Sequence, residues 1–242
     1  VERSRGLGDV YKRQMQINYG TVKYLVEFSA LRSASMSDVT APIAAPVAPA
    51  AGTEHRARLL EGMARAVAAK GYADTTIADI VREASVSRRT FYENFADKAE
   101  CLTALYEAAS GNAIAVLRAA IDPHSDWEAQ VEQAMAAYFG VLARNPVLLR
   151  TLFIDILGLG PTGLAARRRA NQQLADLMLD VVNNRPGERK RKTPLQPMMA
   201  MAVVGGINEM VLHSIEQDRA GQLQELVEPA ATLLRAAISA EF

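Results

Sequence analysis

Residues 75–100, TTIADIVREASVSRRTFYENFADKAE, decide the fold. Thr76 is a good helix N-cap, and Asp79 sits where an acid closes a capping box. Ile77, Ile80, Val81 and Ala84 fall at i, i+3, i+4 and i+7, the spacing of one apolar helical face. Ser85-Val86-Ser87 interrupts that face. Ser87 then caps a second short helix, Arg88 to Asn94, which buries Phe91 and offers Arg88, Arg89, Thr90 and Tyr92 to solvent. Asp97, with Glu100 behind it, opens a third helix. Two short helices joined by a tight turn form the helix-turn-helix unit, whose second helix enters the DNA major groove.

These residues resemble the DNA-binding segment of the TetR family of transcriptional regulators. The family pattern appears as Thr76-Ile77, Ile80-Val81, Ala84-Ser85-Val86-Ser87, Thr90-Phe91-Tyr92, Asn94-Phe95, Lys98 and Leu102. Two positions depart from it. Ser85 stands where the family usually has glycine, at a turn position that often needs positive φ; serine there costs roughly 1 kcal/mol of strain. Asn94 replaces the commoner histidine or tyrosine and keeps a hydrogen-bonding side chain. The resemblance implies an all-α protein: an N-terminal three-helix DNA-binding domain and a C-terminal six-helix ligand-binding and dimerisation domain. It also implies a homodimer on a palindromic double-stranded DNA operator, and a small-molecule effector. The DNA-binding residues it implies are Thr76, Ser87, Arg88, Arg89, Thr90, Tyr92, Asn94 and Lys98. Arg88, Arg89 and Thr90 lie in the exposed first part of the recognition helix, and Tyr92 and Lys98 are expected on phosphates.

The formal net charge is zero, and in residues 52–100 eight basic side chains balance eight acidic ones. DNA affinity is therefore expected to rest on a few placed contacts from Arg82, Arg88, Arg89 and Lys98, not on a broad positive field. Half the residues are apolar and 6% aromatic, with alanine and leucine abundant, a composition that favours helices. No uninterrupted apolar run is long enough to predict a membrane span. The single cysteine, Cys101, excludes an internal disulfide and suits a reducing cytoplasm. It reads as a packed bystander.

Residues 1–14, VERSRGLGDVYKRQ, carry no helical or strand period, and the string resembles translated sequencing-adaptor sequence. Residues 15–35 read as translated upstream sequence, so Met36 is the expected natural start. The Ala/Pro-rich stretch 37–52 has no arginine or lysine to read a minor groove, and the whole of 1–52 is expected to be a passive leader. The helix-turn-helix domain is expected over 53–99 and the regulatory domain over 100–242.

Thr53 is expected to cap a helix running to Lys70, with Gly71 as its stop. Arg56 and Arg58 near its start are candidates for phosphate contact. The helix opened at Asp97 should run to Ile121, stopped by Asp122-Pro123. Ser125 and Glu128 make a capping box for the next, which should end near Asn145. Pro146 suits the first turn of a helix ended by Gly158-Leu159-Gly160, and another follows over 162–183. Arg185 to Lys192 reads as a charged loop, its run Arg189-Lys190-Arg191-Lys192 solvated. Thr193-Pro194 should begin a long helix to Ala220. A last one should run to Ala240, kinked or delayed by Pro229.

A ligand cavity, where the family has one, would draw on Tyr106, Trp127, Met135, Tyr138, Phe139, Phe153 and Met178, the aromatic and Met residues of the middle helices. Gly205-Gly206 inside a helix costs about 1 kcal/mol per glycine, an expense that close approach of another helix offsets. In the TetR family the last two helices form the dimer interface, which assigns Gly205, Gly206 and Leu233 to it. His55, His124 and His213 are scattered without metal-ligand spacing, and no nucleophile elbow or phosphate-binding glycine loop is present. No enzyme activity, metal or cofactor is expected. The leading expectation is a cytoplasmic repressor relieved by a small apolar or amphipathic ligand. Its alternatives are a ligand-independent DNA-binding protein, or a helical small-molecule binder whose turn at Ser85 has impaired DNA binding.

Overall fold

The computed structural model describes residues 51–122, 124–184 and 193–239. Among these the α-helices are α1 (Ala51–Asp74), α2 (Ile77–Ala84), α3 (Arg88–Asn94), α4 (Lys98–Ala119), α5 (Trp127–Ala143), α6 (Pro146–Phe153), α7 (Pro161–Asn183), α8 (Pro197–Glu216) and α9 (Val227–Ser239). Two 3-10 stretches, Asp155–Leu159 and Ala220–Leu226, complete the regular structure of the described residues. By its contacts the chain divides into two units, one ending at Asn112 and one beginning at Ala113. The division falls inside α4; the functional boundary expected at 99/100 lies near the start of the same helix. Residues 1–50 of the expected leader, Pro123, the charged loop 185–192 and Ala240 lie outside the described residues.

In the first unit, α1 packs along α2, and α3 contacts both. Leu59, Met63, Val67, Ile80, Phe91, Leu102 and Leu105 are fully buried there. Gly71 adopts φ 77° and ψ 163°, which ends the regular part of α1 at Lys70. A left-handed φ without a Cβ penalty is what a glycine stop provides. At the other end the helix already runs through Thr53 from Ala51, so Thr53 is not its cap. Cys101 is fully buried, and burial pushes its thiol up to about 12, which leaves it unreactive at neutral pH.

In the second unit, one apolar core gathers side chains from α5, α7, α8 and α9, with Phe139, Val211 and Leu223 fully buried. The cap of α5 is Asp126, whose carboxylate accepts from the amide of Ala129 at 2.9 Å, and not Ser125. The Ser125 hydroxyl donates instead to Asp122 at 3.1 Å. Asn145 caps α6 through Leu148 N–H at 3.0 Å, and Pro146 occupies its first turn. This helix stops at Phe153, and the Gly158–Gly160 stretch belongs to the 3-10 turn that follows.

The start of α8 is Pro197, not Thr193-Pro194. Leu195 is held outside the helix by Asn183, whose carboxamide accepts from its N–H at 2.8 Å and donates to its carbonyl at 3.1 Å. Gln196, preceding proline, is extended at φ −80° and ψ 145°. The helix ends at Glu216, and Pro229 falls in the first turn of α9, the delayed start its sequence position allows. By length and a mean hydropathy of 1.4, α8 is apolar enough to cross a membrane. It packs against α7 and α9, as a core helix does.

Candidate nucleic-acid interface and ligand cavity

Both short helices of the first unit are closed by their own side chains. Thr76 Oγ1 accepts from the Asp79 amide at 3.2 Å while Asp79 Oδ2 accepts from the Thr76 amide at 2.9 Å. Ser87 Oγ accepts from the Thr90 amide at 3.0 Å and lies 2.9 Å from the Thr90 hydroxyl. Between them Ser85 sits in the left-handed region, φ 51° and ψ 46°, the conformation for which glycine is the usual residue. Its amide bonds back to Arg82 and Val81 carbonyls, and Arg58 clamps the turn from α1. Arg58 Nε donates to the Ala84 carbonyl at 3.1 Å and Nη2 to the Ser85 carbonyl at 2.6 Å. Hydrogen bonds from a charged donor contribute about 1.5–3 kcal/mol each, enough to offset the strain of serine at positive φ.

Asp79 is the electrostatic centre of this unit. Lys70 and the Thr76 hydroxyl both donate to its Oδ2, and Arg82 donates to Oδ1 at 3.0 Å. The bond from Lys70, followed by those from Thr76 and then Arg82, holds the carboxyl well below the usual carboxylate range. A folded-state pKa below the unfolded one stabilises the native state above the ordinary carboxylate range, and the contribution fades as pH falls through the lowered value. Asp79→Asn is therefore expected to lower the melting temperature of this unit at pH 7, with the gap to wild type narrowing below about pH 4. Thermal melts by circular dichroism across pH 2.5–7 check it; a gap independent of pH would remove the charge from its assigned part.

Of the residues expected at DNA, Arg88, Arg89 and Tyr92 stand exposed on one side of α3 while Phe91 is fully buried on the other. Arg89 Nε donates to Glu93 Oε1 at 3.0 Å, one turn on. Thr76 and Ser87 serve as the caps described, and Asn94 Nδ2 donates to the Thr90 carbonyl at 2.8 Å. Lys98 is committed elsewhere. Its ammonium donates to the carbonyls of Tyr72 at 3.0 Å, Ala73 at 3.2 Å and Thr75 at 2.8 Å, and lies 4.5 Å from the Tyr72 ring centre. Three bonds use all three of its N–H donors. Lys98 thus ties the start of α4 to the end of α1, and a phosphate contact requires it to give up one of those carbonyls. Arg56, likewise, lies 4.5 Å over the Phe95 ring and donates to the Asn94 carbonyl at 3.3 Å.

Two residues that hold this interface carry no local signal. Gly62 lies where α1 crosses α2; a Cβ on it would fall 2.6 Å from the Ile80 carbonyl oxygen. Arg58, expected as a candidate for phosphate contact, instead donates to the Ala84 and Ser85 carbonyls. Only the crossing of two helices assigns either part.

The second unit encloses an apolar cavity of about 730 Å³ of atom-free space, its open mouth included. Leu117 and Ile121 after it, together with side chains of α5, α7, α8 and α9, form the wall. Trp127, Met135, Tyr138 and Met178 are among them; Phe139, fully buried, and Phe153 are not, and Tyr106 belongs to the first unit. Phe139, next to Tyr138 on α5, packs into the core behind the wall instead. The wall also includes two buried carboxamides absent from the sequence expectation, Gln130 and Asn208. No Asp, Glu, Lys or Arg lines it. Among the described residues no three metal-ligating side chains gather.

Residues 59–105 match the family model of bacterial regulatory proteins, tetR family. Over 77 residues the chain is 31% identical to the uncharacterized HTH-type transcriptional regulator YxbF of Bacillus subtilis, a match covering 32% of this chain. The chain spans 20% of that relative's length. Among solved structures it is similar to the fatty acid degradation regulator FadR from Bacillus halodurans, with a TM-score of 0.60 and 19% identity over 74% of this chain and 93% of that one. It is also similar to FadR from Bacillus subtilis in complex with stearoyl-CoA, with a TM-score of 0.58 and 17% identity over 76% and 98%. At these identities the likeness is one of fold. The helix-turn-helix segment thus matches the tetR family model in sequence over residues 59–105, and the helical fold is similar in space to the FadR structures.

Proposed function

We propose that the protein is a cytoplasmic homodimeric repressor whose grip on a palindromic operator is relieved by a small, largely apolar ligand in the cavity of its second unit. The observation that carries this reading is the pairing, in one chain, of an exposed capped recognition helix with an apolar cavity. FadR of Bacillus subtilis, of similar fold, holds stearoyl-CoA, which supports a ligand site in this architecture. A gel shift on the DNA flanking the protein's own gene, with and without candidate apolar ligands, tests it. Retarded DNA that no ligand releases would favour the ligand-independent alternative.

Arg88 and Arg89 supply base-edge or groove contacts in this reading. Replacing either by alanine is expected to weaken specific binding by about 1–3 kcal/mol without changing dimerisation. Arg88→Ala should cost more, because Arg89 must first leave Glu93, although an exposed pair of that kind holds it by only about 0.5 kcal/mol. Unchanged operator affinity in both variants would remove α3 from its role.

Dimerisation through α8 and α9 is supported by an outward face of α8. Met198, 79% exposed, lies on it with Ala202, Gly205 and Glu209, all exposed and spaced as one helical stripe. Gly206 faces its own protomer instead, since a Cβ there would meet Leu233 at 3.0 Å. A Cβ on Gly205 meets nothing within 4 Å, so a single protomer tolerates Gly205→Leu. That variant is expected to sediment as a monomer with its helical content intact; a wild-type dimer mass would exclude Gly205 from the interface.

Regulation, in this reading, uses α4. Its first residue, Lys98, is tied to the helix-turn-helix unit, and Leu117 on the same helix lines the cavity. A ligand that fits one position of Leu117 better than another biases the whole helix. Two recognition helices must lie about 34–36 Å apart to dock together, so a shift of a few ångströms is sufficient to release them. Moving the population from mostly competent to mostly incompetent requires about 10⁴-fold preference for the second state.

A further inference from the structure

Resting on the cavity as the ligand site, we infer that its ligand is an uncharged molecule, apolar over most of its surface, that donates one hydrogen bond to Gln130. Gln130 lies on α5 with 9% of its surface exposed and forms part of the cavity wall. Its orientation is fixed by its partner. Nε2 donates to the Ser125 carbonyl at 2.8 Å, and a backbone carbonyl only accepts, so the amide nitrogen must face Ser125. That leaves Oε1 as an acceptor with no donor among the described residues. A buried carbonyl oxygen without a partner is costly, and a ligand bringing a donor removes that cost. At Oε1, a ligand bringing only an acceptor, such as an ether oxygen, sets two like dipoles against each other.

The rest of the wall excludes charge. With Gln130 the wall includes Leu117, Val131, Met135, Leu177 and Val204, and it holds no ionisable cation or anion to pair with a charged headgroup. An unpaired carboxylate or ammonium in such surroundings pays its full desolvation. An alcohol, phenol or neutral amide meets both conditions. A free carboxylate, an amine cation and an acyl-CoA do not.

Trp127, the single tryptophan of the chain, lines the same cavity and reports its occupancy by fluorescence. The purified full-length protein is titrated with 1-octanol, methyl octyl ether, octanoate, octylammonium and octanoyl-CoA, each below its aggregation limit. 1-Octanol is expected to shift Trp127 emission at the lowest concentration, about tenfold below the ether, and further below the three charged probes. Gln130→Leu is expected to bring the alcohol and the ether to equal affinity, since the Ser125 carbonyl it abandons lies on a partly exposed turn. Should that variant not fold, the alcohol–ether ratio in wild type decides alone. Equal binding of alcohol and ether in wild type, or any charged probe matching the alcohol, overturns this inference and leaves the cavity as a ligand site. No response to any of the five overturns the cavity reading and this inference with it.

Discussion

Replacing Gly62 by alanine is expected to abolish operator binding while the second unit stays folded. The added methyl would stand 2.6 Å from the Ile80 carbonyl oxygen, 2.8 Å from the Ala84 nitrogen and 2.9 Å from the Ala84 Cβ. Two of these are backbone atoms of α2, which no side-chain rotation can move aside. The helix must therefore leave α1, and Ala84 and Ser85 then part from the Arg58 guanidinium that clamps their carbonyls. Alanine recovers about 1 kcal/mol of helix propensity over glycine. Overpacking costs about 1–3 kcal/mol, and the loss of charged hydrogen bonds adds about 1.5–3 kcal/mol for each. The losses win by about 2 kcal/mol or more. In a thermal melt the first unit should unfold earlier by circular dichroism, with Trp127 emission unchanged at those temperatures. Wild-type operator affinity together with an unchanged melt would mean that the crossing of α1 and α2 is looser than these distances.

What the chain discloses about itself divides along the range of the forces involved. The caps at Thr76 and Ser87, the stop at Gly71 and the first-turn proline at Pro146 are all legible, because each depends on bonds made within four residues. The strain expected at Ser85 is legible for the same reason, and its φ of 51° is the predicted kind. Misreadings begin where two local signals compete. Ser125 and Asp126 are both competent caps for α5, and the choice falls to Asp126 because Asp122 takes the Ser125 hydroxyl. They widen where a distant residue intervenes, as Asn183 does in holding Leu195 out of α8. The sites follow the same rule. The recognition helix is a continuous motif, whereas the cavity wall collects residues from Leu117 to Leu234, and no pattern within one helix distinguishes Tyr138 from Phe139. Gln130 was least visible of all, since a polar residue on an amphipathic helix reads as solvated until burial shows otherwise.

A second glycine, Gly163, is expected to be less replaceable still. It is the third residue of α7, and a Cβ there would lie 1.7 Å from the Ile156 carbonyl oxygen, 2.9 Å from its carbon and 3.1 Å from the Leu159 Cβ. No rearrangement of side chains accommodates a methyl at that distance. The 3-10 turn that carries the oxygen cannot yield either: Ile156 is fully buried, and the turn closes through Gly160, at φ 61°, whose amide donates to the Leu157 carbonyl at 3.1 Å. The first turn of α7 must therefore lift away from it, and Ala166 and Ala170, buried farther along the helix, lift with it. Overpacking of this kind costs upward of about 3 kcal/mol, against about 1 kcal/mol returned by alanine's propensity. For a unit of this size that net loss lowers the melting temperature by roughly 5–10 °C. Trp127 fluorescence follows it directly. Gly158 provides the control inside the same turn, because a Cβ on it meets nothing within 4 Å and its φ is not left-handed. Gly158→Ala should melt within about a degree or two of wild type, while Gly163→Ala melts well below it and binds 1-octanol weakly, since α7 contributes Leu174, Leu177 and Met178 to the cavity. Equal melting of the two variants would show that α7 and the turn before it are not in the contact described.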